Sequence, residues 1–251
     1  MFSGFHSVIK IGAGVRFRES GIYLHNGSEV EFGDGVQCEE TELIVYSGAT
    51  LSIAEEVLLR GDYVSIGEDS IWEINRGCHL AQLRMVMGKD AKAELGDEVH
   101  VDASGIGIAY WSMGDSAKVK IGGKGRFSGF GQCELFGKAS LEIGEKFTIS
   151  NNYQILLPHG TGIVIGDDCM FSWNTTMNSS DCHSIFDVVT GKNINSTYDI
   201  AKGRRIVIGN HVWVGDYACI LYRTRIGDGS IIGAMGLVKS EIPNNCIAAG
   251  N

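Results

Sequence analysis

A six-residue repeat of aliphatic side chains near the C-terminus limits the folds that this chain can adopt. Its members are Ile208, Val214, Ile220, Ile226, Ile232 and Val238, and glycine follows four of them. A helix buries one face about every 3.6 residues and a strand about every 2, so neither explains this period. A step of six fits one side of a triangular prism, in which each inward side chain stacks on its counterpart three repeats later. Hexapeptide periodicity is the sequence sign of a parallel β-helix.

A looser form of the repeat extends upstream. An apolar residue followed by Gly or Ala occurs at Ile11, Phe32, Ile53, Leu95, Ile121, Ile143 and Ile165. The intervals are 21, 21, 42, 26, 22 and 22 residues, and the interval of 42 can be read as two coils of 21. Three hexapeptides need only about 18 residues, so the surplus is expected to leave at corners as small turns.

These repeats predict one all-β domain over residues 1–251, a solenoid of about ten coils in which each coil touches only its neighbours. The coils are expected to be less regular over residues 1–162 and regular over residues 163–251. One interval in the regular part is anomalous, because 43 residues separate Ile165 from Ile208. About 25 residues must therefore leave the stack, and long loops of this kind are often functional. We place this insertion at about residues 178–205 and expect the chemistry there.

Composition excludes several classes of function. The net charge is −9 and the two signs are scattered, so no basic stripe is available for nucleic acid. The sequence has no apolar stretch of about 18 residues and no basic segment followed by an apolar run at its start, which predicts a soluble cytoplasmic protein without a membrane span. The seven cysteines form no C-x-x-C pair, and their odd number favours reduced, apolar fillers.

The motifs at the C-terminal end resemble a known family. The run from Ile208 to Asp216, the run from Ile226 to Ala234 and the closing Ile242-Pro243-Asn244-Asn245 resemble the hexapeptide-repeat acyltransferases. Within that group the similarity is greatest to bacterial O-acetyltransferases that act on sugars and surface polysaccharides, and it covers about residues 163–251. The resemblance implies a left-handed parallel β-helix, a homotrimer, and acetyl-CoA bound between adjacent subunits.

Acetyl transfer from a thioester to a hydroxyl requires a base, and His183 stands at the catalytic position of the family. Histidine suits this role because its ordinary pKa of about 6.5 leaves a useful neutral fraction. Asp181, Asp187 or a backbone carbonyl could hold the second ring nitrogen, and Asp181 is included in the predicted catalytic set. By the same resemblance, the backbone amide of Asp216, just after Gly215, is the oxyanion donor.

The resemblance also implies contacts to the two substrates. Trp213 is expected near the coenzyme and Ala234 near its pantetheine arm. Lys239 is a candidate for a coenzyme phosphate, although it stands one residue before the position at which the family has lysine. Trp173 and Asn174, just before the insertion, are candidates for stacking and hydrogen bonding to the acceptor sugar.

The sequence therefore predicts an acetyl-CoA-dependent O-acetyltransferase for a sugar or surface polysaccharide of the O-antigen or capsule type, with no metal. Alternatives are N-acylation of a nucleotide-linked amino sugar, and a non-catalytic glycan-binding solenoid. A covalent route through Cys182 would need a base beside the thiol in space, which sequence adjacency does not provide. A β-helical metal hydratase is disfavoured because the histidines form no close pair.

Overall fold

The computed structural model describes residues 2–3, 5–18, 21–40, 42–60, 63–78, 81, 83–102, 109–129, 131–181, 183–195 and 205–250. These residues form 32 short strands and no helix. The strands lie on three faces, which we name A, B and C, and the chain meets them in that order; the coil over residues 64–81 has no face C strand among the described residues. The corners that join them are AB (179–181 and 222–224 in the last coils), BC (166–169, 209–212 and 227–230) and CA (172–175, 215–218 and 233–236).

Faces A and B are eleven-stranded sheets in the part of the chain that the structure describes. Face A contains β1 (Phe2–Ser3), β4 (Gly21–Leu24), β7 (Glu42–Val45), β10 (Val64–Ile66), β12 (Leu83–Met87), β15 (Ala109–Met113), β18 (Gly131–Leu135), β21 (Tyr153–Leu157), β24 (Thr176–Asn178), β27 (Cys219–Leu221) and β30 (Leu237–Val238). Face B contains β2 (Val8–Ile11), β5 (Glu29–Phe32), β8 (Thr50–Ile53), β11 (Ile71–Ile74), β13 (Lys92–Leu95), β16 (Lys118–Ile121), β19 (Ser140–Ile143), β22 (Gly162–Ile165), β25 (Arg205–Ile208), β28 (Arg225–Ile226) and β31 (Glu241–Ile242).

Face C consists of two sheets. The first holds β3 (Arg16–Arg18), β6 (Gln37–Glu39) and β9 (Leu58–Arg60). The second holds β14 (His100–Asp102), β17 (Arg126–Ser128), β20 (Thr148–Ile149), β23 (Met170–Phe171), β26 (Trp213–Val214), β29 (Ile231–Ile232) and β32 (Ile247–Ala248). Neighbouring strands on every face pair in parallel, which confirms the predicted all-β parallel solenoid.

The register agrees with the sequence repeat. Ile74 pairs with Ile53 on face B, so the interval of 42 residues in the apolar-glycine series does span two coils. All six aliphatic residues of the C-terminal hexad are buried in the interior of the prism. A strand exposes its side chains alternately inward and outward, and the corners reset that alternation for the next face.

Large aromatic side chains fill the middle of the prism. Trp111, Phe127 and Tyr153 are buried there, and Trp111 Nε1 donates a hydrogen bond of 3.0 Å to the Tyr153 hydroxyl. Gly131 lies directly against the Tyr153 ring, at a position where a Cβ atom would overlap it. Glycine at that strand position therefore makes room for a large ring one coil away.

The regular coils are linked at corner BC by a ladder of Asx side chains. Each Oδ1 accepts the backbone N–H of the residue one coil earlier: Asn210 accepts from Asp167 at 2.8 Å, Asp228 from Asn210 at 2.6 Å and Asn244 from Asp228 at 3.1 Å. Gly209 leaves the space that the Asp228 carboxylate occupies. The ladder satisfies corner N–H groups that have no partner within their own strand.

The stack is interrupted once in its regular part, at corner AB. Strand β24 ends at Asn178, and β25, the next strand of the stack, begins at Arg205. Ser179 and Ser180, directly after β24, are still buried. None of the described residues belongs to a helix that could cross a lipid bilayer.

Candidate functional site

The sequence-predicted site residues lie in two groups at two corners of the prism. Asp181 and His183 follow β24 at corner AB, and Lys239 follows β30 at the same corner. The second group lies at corner CA and on the adjoining strand of face C. It comprises Trp173, Asn174, Trp213, Gly215, Asp216 and Ala234.

The two groups are separated by the width of face A. About five residues, 175–179, run from corner CA to corner AB, which at about 3.3 Å per residue is roughly 15 Å. The His183 side chain is exposed and makes no hydrogen bond to any described residue. The predicted base and the predicted oxyanion donor are therefore held by different corners of one chain.

The described part of the insertion is a short hairpin. Phe186 and Asn193 form an antiparallel bridge, and Ile194 N donates to Ile185 O at 2.8 Å. His183 is three positions after the buried Ser180, so the two Cα atoms lie within about 11 Å of each other. The hairpin extends into solvent, because Val188 and other residues near its tip are largely exposed.

Asp187 stabilises the tip of this hairpin. Its Oδ1 accepts the backbone N–H of Thr190 at 2.7 Å, the Thr190 hydroxyl at 2.8 Å and the Val189 N–H at 3.0 Å. These donors lower the pKa of Asp187, the Thr190 N–H most of all, because they favour the ionised carboxylate. Of the two carboxylates that flank His183, the one of Asp187 is thus bonded to the turn at the hairpin tip.

Asn195 closes the base of the hairpin, a role that the sequence analysis did not assign. Its Nδ2 donates to the Asp181 carboxylate at 2.7 Å and to the His183 carbonyl at 2.6 Å, and its Oδ1 accepts Ile185 N at 2.5 Å. The amide thereby fixes the backbone at His183 and Ile185 and holds the carboxylate of Asp181. The only sequence signal was an asparagine in the same inserted segment, whose partner could not be read from spacing.

Corner CA presents a cluster of exposed apolar side chains. Trp173, Tyr217 and Met235 come from three successive coils, and Tyr217 N donates to Trp173 O at 2.9 Å. The Asn174 Oδ1 accepts Asn152 Nδ2 at 3.1 Å, so its amide oxygen is engaged with the preceding coil. Sequence analysis missed Tyr217 and Met235, which only the stacking of coils places beside Trp173.

The backbone N–H of Asp216 is left without an acceptor in the described chain. One coil earlier, Trp173 N is bonded by the Asp216 carboxylate at 3.1 Å, as corner N–H groups are by the ladder at corner BC. The residue one coil after Asp216 is Ala234, which has no side-chain acceptor. Gly215 brings the coils close, because a Cβ there would lie 2.7 Å from Ala234 N. An open N–H beside a small residue is the geometry that an oxyanion donor needs.

Trp213 lies on face C, next to corner CA. Its indole is half exposed, stands in register between Met170 and Ile231, and donates from Nε1 to Ser172 Oγ at 3.2 Å. The hydrogen bond fixes the orientation of the ring on the outer surface. A tryptophan at this position is not needed to fill the core. This placement agrees with a ring available to a ligand.

Cys182, the residue considered for a covalent route, lies outside the described residues. No disulfide joins the other six cysteines, and four of them are buried. Burial raises the pKa of the Cys38 thiol to about 12, and it raises the pKa of Cys133 further. A thiol of this kind is a poor nucleophile at neutral pH.

The C-terminal coils match a known family model. The model for the bacterial transferase hexapeptide, which consists of six repeats, matches residues 205–239. This segment is similar to the hexapeptide repeats of bacterial transferases. The hexapeptide segment includes Trp213, Asp216 and Ala234, and the match confirms the resemblance that the six-residue period and the glycines indicated.

Relatives of the chain carry related names. It is 35% identical over 109 residues to a polysialic acid O-acetyltransferase of Escherichia coli O1:K1, covering 43% of this chain and 33% of that protein. It is 30% identical over 117 residues to the galactoside O-acetyltransferase of Escherichia coli K12, covering 45% and 51%. The chain thus spans about a third to a half of the length of these relatives. A solved polysialic acid O-acetyltransferase aligns with 96% of this chain and 84% of its own, with a TM-score of 0.48 and 21% identity.

Proposed function

We propose that this protein is an acetyl-CoA-dependent O-acetyltransferase that acts on a hydroxyl of a sugar or cell-surface polysaccharide. The observation that carries the proposal is the open Asp216 N–H at corner CA, beside Ala234 and an exposed Trp213, within a transferase hexapeptide segment. Relatives named as sugar and polysaccharide O-acetyltransferases support the substrate class.

In the proposed reaction His183 removes the proton of the acceptor hydroxyl as its oxygen attacks the thioester carbonyl. The tetrahedral oxyanion is stabilised by the Asp216 N–H. When the intermediate collapses, the carbon–sulfur bond breaks and the imidazolium returns the proton to the departing thiolate. Asn195 is a positioning residue, since it holds the backbone of His183 and the Asp181 carboxylate.

The separation of the two corners supports a site shared between copies of the chain. In the last coils, the outward side chains of face A are uncharged, among them Leu156, Leu221 and Leu237, whereas face B carries Arg205, Arg225 and Glu241. Three copies that turn face A toward a common axis would bring corner AB of each next to corner CA of the following copy. That arrangement is the homotrimer we propose, with acetyl-CoA between subunits.

The first test is the removal of the base. His183→Ala is expected to lower the rate of thiol release from acetyl-CoA, with a sugar or oligosaccharide acceptor, by about 10²–10⁴-fold. His159→Ala is the matched control, because His159 is also exposed and lies at corner AB one coil earlier. Wild-type turnover in His183→Ala would remove the proposed base. Acceptors that offer only an amine separate N-acylation from O-acetylation.

The second test addresses the shared site. His183→Ala and Ala234→Asn each disable one corner, and co-expression of the two inactive variants should restore about a quarter of the sites in random mixed trimers. Each restored site has His183 from one copy and an open Asp216 amide from the next. No recovery in purified mixed oligomers would contradict a site between copies.

A further inference from the structure

A cavity of about 400 Å³ lies on face C beside corner BC, away from the inserted hairpin. One wall is apolar and is made by the outward side chains of Met170, Trp213 and Ile231, which stand in register on three successive strands. The opposite rim is polar. It is made by Lys146 and by Asp168 and His211 from the following two coils.

The rim contains an oriented histidine. His211 Nδ1 lies 2.7 Å from Asp168 Oδ2, and because an ionised carboxylate can only accept, the ring donates this hydrogen bond. Both side chains are exposed, and neither His211 Nε2 nor Asp168 Oδ1 has a partner among the described residues. The equivalent residue one coil later is Gly229, so no side chain covers the imidazole.

The charge around the rim distinguishes between possible ligands. The lining carries one ammonium group, that of Lys146, and one carboxylate, that of Asp168. These opposite charges leave no net charge in the lining to attract the phosphates of a coenzyme or of a nucleotide. A neutral ligand with hydroxyl groups needs no such attraction.

We propose that the cavity is a saccharide subsite, which binds a neutral sugar residue of a polymeric acceptor next to the residue that is acetylated. Trp213, for which the family resemblance implied a coenzyme contact, is here assigned to the sugar. Its indole and the apolar wall would cover the C–H face of the sugar, while Asp168 Oδ1 accepts from one hydroxyl and His211 Nε2 bonds its neighbour. Trp213 also bonds Ser172 at corner CA, which connects the subsite to the open Asp216 amide. The inference rests on the proposed function, since it names the acceptor class for that site.

Binding can be measured without catalysis. Calorimetric titrations would use maltotetraose and chitotetraose as neutral probes, a sialic acid tetramer as an anionic probe, and coenzyme A. We expect a neutral tetrasaccharide to bind Asp168→Asn and His211→Ala about tenfold more weakly than wild type, as loss of one charge-assisted hydrogen bond implies. Glu31→Gln is the matched control, because it removes an equally exposed ion pair with Lys10 on face B.

The outcomes separate this inference from the proposed function. The subsite is refuted if neither neutral tetrasaccharide binds, if both bind the two rim variants as tightly as wild type, or if only the sialic acid tetramer responds. Weaker coenzyme A binding in Asp168→Asn would instead assign the cavity to the donor. The proposed function fails independently if wild type releases no thiol with any acceptor while the neutral tetrasaccharide still binds.

Discussion

The backbone N–H of Asp216 has no acceptor within the described coils, and a substitution that supplies one should reduce activity. In Ala234→Asn the new side chain stands one coil after Asp216, as Asp228 does after Asn210. Gly215 leaves room for its Oδ1, as Gly209 does for Asp228. Ala234 is exposed, so the substitution does not disturb the core.

Two magnitudes follow from this geometry. The added hydrogen bond should stabilise the fold by about 1 kcal/mol, the usual net value for such a bond. Loss of an oxyanion donor should lower kcat by about 10²–10³-fold, or about 2.7–4 kcal/mol of transition-state stabilisation. Stability and activity should thus change in opposite directions, which a merely disruptive mutation would not produce.

The assay combines thiol release from acetyl-CoA, urea unfolding and hydrogen exchange of the Asp216 amide. Exchange at Asp216 should slow in Ala234→Asn because the amide is now bonded. Ala234→Leu is the control for bulk, since leucine has the shape of asparagine without an acceptor. The reasoning is refuted if Ala234→Asn protects the amide yet keeps wild-type kcat, or if Ala234→Leu, at saturating acetyl-CoA, loses as much kcat as Ala234→Asn.

Three further predictions concern the hairpin and the core. Asn195→Ala should lower kcat by about tenfold with an unchanged unfolding midpoint, because it frees the His183 backbone and leaves the core intact. Limited proteolysis should cleave the hairpin of this variant faster than that of wild type. A variant that is cleaved as slowly as wild type and keeps full activity would contradict the positioning role of Asn195. Tyr153→Phe should destabilise the fold by about 1–3 kcal/mol in urea because Trp111 Nε1 loses its buried partner, whereas a variant as stable as wild type would show that this bond contributes nothing. The ionised Asp187 carboxylate stabilises the hairpin tip fully at pH values above its ordinary pKa of 3.8, and this stabilisation is lost as the pH falls from 3.8 through the lowered pKa of the folded protein. The amide resonance of Thr190 should shift in that pH range. Asp187→Asn should abolish the shift.

Much of the fold follows from local sequence rules. The hexad from Ile208 to Val238 identifies the inward residues of the last coils, and all of its members are buried. The gap between Ile165 and Ile208 locates the insertion, because a coil that repeats every 18 residues or so cannot absorb 43. The motif around Trp213 was enough to indicate the transferase hexapeptide that the family model matches at residues 205–239.

The hydrogen-bond partners of the site residues could not be predicted from local sequence rules. Asp181 and Asp187 are equally good candidates by spacing, and only the folded hairpin shows that one carboxylate accepts from Asn195 and the other from Thr190. The His211–Asp168 pair is equally invisible in the sequence, since 43 residues separate its members.

The inward side chains and the point where the chain leaves the stack can be read from the amino-acid sequence alone, because both depend on a local period. The residue that stands above another depends on the folded coils: successive ladder bonds span 43, 18 and 16 residues, since each coil uses a different length of chain. This variable stacking places Ala234 one coil after Asp216, so the Asp216 amide has no side-chain acceptor at that position. It also places His183 at corner AB, whereas Asp216 lies at corner CA. A contact between coils depends on every corner between its two members, so a short motif cannot encode it.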